Sequence, residues 1–161
     1  MSTPTDFVLV SNWQIAVPRE RVWQALKHPL QWPRWWSFVR SVEELEAGDD
    51  DGVGARYNFH WASRLPYSIR LLTTVTESRK HELIAAKAEG DLRGVGVWHL
   101  RERDGNTFVE YTWSVDLDRG WMRATLPILR PAFAWNHNAV MAAGESGLTR
   151  YLATATETAI A

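Results

Sequence analysis

The chain has 161 residues with 18 basic and 19 acidic side chains, a net charge of −1, and no basic stripe that would track nucleic-acid phosphates. It contains no cysteine, which excludes disulfides, thiol nucleophiles and cysteine-ligated zinc. With 45% hydrophobic and 23% charged residues it fits one globular domain, residues 1–161, large enough to bury a core unaided.

Phe7 to Val17 alternates in polarity and is rich in β-formers, which predicts a first strand. Pro18 suits a helix start, and Val22, Trp23 and Leu26 then share one face over Arg19 to Lys27. Pro29 and Pro33 restrict the next segment to a short second helix or turn carrying Trp32, Trp35 and Trp36. Val39 to Leu45 predicts the next strand. Gly48 to Gly54, with Asp49, Asp50 and Asp51, reads as a solvated acidic turn, because calcium-loop spacing is not met. Further strands are predicted at Ala55–Trp61, Pro66–Arg79, Glu82–Gly90, Leu92–Arg103 and Thr107–Leu117, and Asp104-Gly105-Asn106 signals a hairpin between the last two. Trp121 to about Ala155 is the one long helical pattern, and Pro127 and Pro131 predict a kink or irregularity before Ala132. This order gives an α+β fold. A curved antiparallel sheet of about seven strands wraps a long C-terminal helix, with two short helices after strand 1.

Ten tryptophans stand in the chain: Trp13, Trp23, Trp32, Trp35, Trp36, Trp61, Trp98, Trp113, Trp121 and Trp135. Each buries a wide, stiff ring and brings an N–H donor that needs a partner. Two readings are open, a tryptophan-rich solid core or rings that wall an apolar cavity. Periodicity supplies candidate walls. On the long helix Leu126, Leu129, Phe133, Asn136, His137, Val140, Met141, Gly144, Leu148 and Tyr151 form one stripe, with Trp135 on the opposite side. Asn136 and His137 interrupt that apolar face, so they bond either to protein groups or to a ligand. Alternation places Leu92, Gly94, Gly96, Trp98 and Leu100 on one face of a strand, with Val109, Tyr111, Trp113 and Val115 beside them. Tyr67, Ile69, Leu71 and Thr73 group similarly. The glycines at 94 and 96 would open volume beside Trp98 or let the helix approach. The candidate ligand-binding set is therefore Tyr67, Ile69, Leu71, Trp98, Tyr111, Trp113, Phe133, Asn136, His137, Val140 and Met141.

Catalytic signatures are sparse. Gly144-Glu145-Ser146-Gly147-Leu148 lacks the closing glycine of a nucleophile elbow and lies within a helix. The five histidines have no metal-ligand spacing, and Gly90, Gly94 and Gly96 form no dinucleotide fingerprint, so neither metal nor cofactor is expected. His137 is the candidate acid or base if there is chemistry, since burial can move its pKa. No apolar run approaches the ~18 residues of a membrane span, and Met1 to Asp6 has no positive n-region; a cytoplasmic protein without integral membrane association is expected.

Ala16-Val17-Pro18, Val22-Trp23 and Trp32-Pro33-Arg34-Trp35-Trp36 together resemble the opening of the START-like, helix-grip superfamily (SRPBCC). Gly90-Asp91-Leu92-Arg93-Gly94, Trp121-Met122-Arg123, Arg130-Pro131, Trp135-Asn136-His137-Asn138 and Val140-Met141 resemble one bacterial subgroup of its polyketide cyclase/dehydrase and lipid-transport branch. The resemblance covers about Phe7 to Leu152. It implies a sheet that grips the C-terminal helix around a deep hydrophobic cavity, and it brings no general catalytic motif. Three functions are compatible with it. The first is binding of a hydrophobic small molecule, lipid-like or aromatic, walled by the candidate set and gated by Trp35 and Trp36 unless these pack beneath the short helices. The second is a cyclase or dehydratase in which His137 moves protons. The third is a protein or membrane contact through exposed Trp32, Trp35 and Trp36.

Overall fold

The structure, a computed structural model, describes residues 7–116 and 120–160, with the side chains of 120–123 and 155–160 left out of the description. Strand β1 (Phe7–Ile15) leads to α1 (Arg19–Lys27), a single 3₁₀ turn (Pro29–Gln31) and the short α2 (Trp32–Trp35). Six strands come next: β2 (Val39–Glu46), β3 (Arg56–Trp61), β4 (Ile69–Arg79), β5 (Leu83–Gly90), β6 (Arg93–Arg103) and β7 (Asn106–Asp116). The chain ends in α3 (Gly120–Ile160). The seven strands form one antiparallel sheet in the order β1-β7-β6-β5-β4-β3-β2.

The local chemistry explains this course. Asp104 and Gly105 adopt φ of 52° and 74°, the left-handed pair that a tight β-hairpin requires. In the acidic turn, Asp49 Oδ1 accepts from the backbone N–H groups of Asp51 (3.0 Å) and Val53 (2.9 Å), so Asp49 builds the turn itself. The pairing register shifts between Val39 and Ser41 and between Glu44 and Glu46 on β2, and between Val75 and Glu77 on β4, irregularities of the kind that let a sheet curve.

One strand boundary differs clearly from expectation. β4 begins at Ile69 rather than Pro66, which leaves Tyr67 in the preceding bend, because neither Pro66 nor its neighbours join the ladder. α3 runs as one helix with Pro127 and Pro131 inside it, so the pair, expected to kink the helix or make it irregular before Ala132, does not end it. Both prolines lie on the exposed side, where solvent can serve the carbonyls that lose a backbone donor.

The core has a solid end. Trp13, Trp23, Trp32, Trp35 and Trp36 are all buried there with Val22, Leu26 and Leu148. Trp13 crosses Trp36 edge to face at 5.4 Å, and Trp36 stacks on Trp35 at 5.3 Å. Two helical glycines let α3 come this close. A Cβ at Gly144 would stand 2.5 Å from Trp36 Cε2 and 2.8 Å from Trp13 Cζ2, and one at Gly147 would collide with the Trp35 carbonyl oxygen. Trp36 Nε1 then donates to the Val140 carbonyl at 2.7 Å, which ties α2 to α3. Trp32, Trp35 and Trp36 are therefore 7%, 5% and 1% exposed, and the expected contact surface built from them does not exist. Among the described residues the exposed indole is that of Trp135, under the Arg64 guanidinium at 5.3 Å.

Candidate functional site

Away from the solid end, the sheet and α3 separate around a cavity of about 380 Å³. From the sheet come Ile69 and Leu71 of β4, Trp98 of β6, and Tyr111 and Trp113 of β7; from α3 come Phe133, Asn136, His137, Val140 and Met141. The structure thus brings these candidates together. Tyr67 stays outside, 45% exposed, because the strand starts two residues after it.

Several lining residues were not among the candidates. Tyr57, Phe59 and Trp61 alternate on β3 and face inward, a period-two signal legible in the sequence. Trp32 and Trp36 also line the cavity, whereas Trp35 packs behind them; their i, i+4 spacing was obscured by Pro33. At one end the lining passes to Lys27, the last residue of α1, to His28 and Pro29, and to Asp49–Gly52 of the acidic turn.

Pairing between β6 and β7 places Gly96 opposite Trp113 and Trp98 opposite Tyr111. The space beside Gly96 is taken by the Tyr111 ring and that beside Gly94 by the Ser114 carbonyl and the Trp113 ring, so the helix uses neither. A Cβ at Gly96 would lie 2.6 Å from the Tyr111 hydroxyl, and one at Gly94 would collide with the Ser114 carbonyl and meet Trp113 Cη2 at 3.1 Å. The Tyr111 ring lies 4.2 Å from Trp98 on one side and 6.1 Å from the His137 imidazole on the other, near-parallel to the latter at 18°.

The polar groups are few. Asn136 Oδ1 accepts from Ser63 Oγ (3.1 Å) and from the Arg64 backbone N–H (2.9 Å), while Ser63 Oγ also accepts from Leu65 N–H (3.0 Å). Asn136 therefore pins the β3–β4 connection to the helix. His137 Nε2 shares a hydrogen bond with Ser11 Oγ on β1 at 3.2 Å. Burial lowers the His137 pKa to about 4, so the ring is neutral at pH 7. Burial pushes the Tyr111 phenol well above its ordinary value and keeps it protonated. Among the described residues no group of three or more His, Asp or Glu is placed to hold a metal, and no helix is long and apolar enough to cross a membrane.

The sequence model of the family described as polyketide cyclase / dehydrase and lipid transport matches residues 8–152. The chain belongs to this family. No curated protein matches the sequence. Solved structures share the fold at low identity. A protein of Thermus thermophilus superposes with a TM-score of 0.74 at 17% identity, covering 90% of this chain and 99% of its own. The Zhui aromatase/cyclase of a Streptomyces species gives 0.70 at 14% identity, covering 90% and 92% respectively. A Mycobacterium smegmatis protein gives 0.67 at 15% identity, covering 90% of each chain. These proteins have the same strand and helix arrangement; at such identities the likeness concerns the fold alone.

Proposed function

We propose that the protein binds a hydrophobic, partly aromatic small molecule between α3 and the sheet. The cavity carries this reading. Its 380 Å³ lies within the roughly 300–1,000 Å³ typical of small-ligand sites, and its walls are mainly aromatic and aliphatic. An apolar void costs on the order of 20 cal/mol per Å³ when nothing fills it, so an occupant offsets several kcal/mol. Each Å² of ligand surface buried contributes ~25 cal/mol more. The test is titration with the neutral fluorophore N-phenyl-1-naphthylamine. One-to-one saturable binding is expected, weakened more than tenfold in Leu71→Trp, whose indole would occupy the cavity. Absence of saturable binding in the wild-type protein would overturn the reading.

A cyclase or dehydratase acting on a polyketide-like substrate is the second reading, supported by membership of the family described as polyketide cyclase / dehydrase and lipid transport and by the imidazole that lines the cavity. His137 would serve as its base, receiving a proton at the imidazole. A pKa of about 4 keeps the ring unprotonated at neutral pH but makes it a weak base. This reading predicts that His137→Gln loses turnover while keeping ligand affinity; unchanged turnover would remove the assigned role.

A further inference from the structure

The polar lining of the cavity is prepared to donate hydrogen bonds. Asn136 Oδ1 already has two donors, Ser63 Oγ and the Arg64 N–H, which fixes the amide and leaves its NH₂ as the unused side. The Tyr111 hydroxyl has no hydrogen-bond partner among the described residues, although the ring lines the cavity. Gly96 accounts for where that hydroxyl sits. A Cβ there would come within 2.6 Å of the phenol oxygen and 3.1 Å of Cε2, so the ring rests over bare β6 backbone, held against Trp98 at 4.2 Å. His137 Nε2 is engaged by Ser11. Among the described residues the charged lining groups are Lys27 and Asp49–Asp51, from α1 and the β2–β3 turn, and those of β3 to β7 and α3 add none.

We propose that Tyr111 and Asn136 select a neutral aromatic ligand bearing an acceptor oxygen, such as a ketone or quinone, and that Gly96 is the positioning residue for the phenol. This rests on the binding reading above and assigns its ligand class. A hydrocarbon of the same shape leaves the buried donors unpaired. A carboxylate loses its water without meeting a cation beside these donors. Sites built to hydrogen-bond a ligand discriminate more strongly than apolar pockets that merely tolerate a polar group.

The experiment compares three probes by displacement of N-phenyl-1-naphthylamine: 2-acetylnaphthalene, its near-isostere 2-isopropenylnaphthalene, and 2-naphthoate. Tyr111→Phe keeps the ring and removes the donor. It is expected to weaken the ketone about five- to tenfold, the scale of one neutral hydrogen bond, and the alkene less than twofold. Gly96→Ala leaves the hydroxyl in place chemically but displaces it, and the same selective loss of the ketone is expected. A structural role alone would weaken both probes by one factor, and that result would overturn the proposal. So would naphthoate binding as tightly as the ketone at pH 7.5. If alkene and ketone both bind and neither variant changes their ratio, the binding reading stands and the ligand class falls. If the wild-type protein binds neither the fluorophore nor any probe, both fall.

Discussion

Replacing His137 with glutamine separates the energetic consequence of burying this imidazole from its place in the cavity. The amide can keep a hydrogen bond to Ser11 Oγ, which His137 Nε2 reaches at 3.2 Å, while losing the titration. Desolvation lowers the folded-state pKa from 6.5 to about 4. Between those values the unfolded chain binds a proton that the folded chain refuses, so stability falls as pH drops below 6.5 and levels off below 4. At ~1.4 kcal/mol per pKa unit the full effect is about 3 kcal/mol, most of it expressed by pH 4.5. Urea denaturation at pH 7.5 and 4.5 reads it directly. Carboxylates titrate in both proteins, so the difference between them isolates the imidazole. The wild-type protein should lose about 2–3 kcal/mol more than His137→Gln over this interval. Equal losses would show that the folded protein accepts a proton at His137 readily, and the buried, neutral imidazole would be refuted.

Two further predictions concern the contacts that shape the cavity. Gly147→Ala places a methyl into the Trp35 carbonyl and forces α3 away from α2; a loss of about 2–4 kcal/mol is expected, and a thermal midpoint within about two degrees of wild type would contradict the tight approach. Asn136→Ala removes the acceptor shared by Ser63 and Arg64, so the β3–β4 connection should exchange its Arg64 amide faster by about tenfold or more, while unchanged protection would show that this link does not hold it.

Patterns along single elements were legible from the chain, because strand alternation and helical periodicity fix which residues share a face. Ile69 and Leu71, Trp98, Tyr111 with Trp113, and Phe133, Asn136, His137, Val140 and Met141 group on those grounds, and they meet at the cavity. Single-element patterns do not carry the meeting of elements. The placing of Trp35 and Trp36 depends on two glycines far along the chain: Gly144 admits the Trp36 indole beneath α3, and Gly147 admits the Trp35 backbone. Gly96 reads from the sequence as open volume or as room for the helix; only the three-dimensional placement of Tyr111, diagonal to it on β7, shows that the phenol fills the space. Tyr67 was placed inside a strand that starts only at Ile69, an end effect that alternation cannot locate. The partners of Asn136 lie in the irregular connection after β3, where no periodicity applies.

Native mass spectrometry of freshly purified protein, compared with the denatured chain, reads the occupancy of the cavity itself. One discrete adduct of small-molecule mass is expected, released on denaturation and lost in Leu71→Trp. Wild-type protein that runs at the bare chain mass, and stays bare after exposure to a mixture of neutral aromatic ketones and lipids, would contradict binding in the cavity.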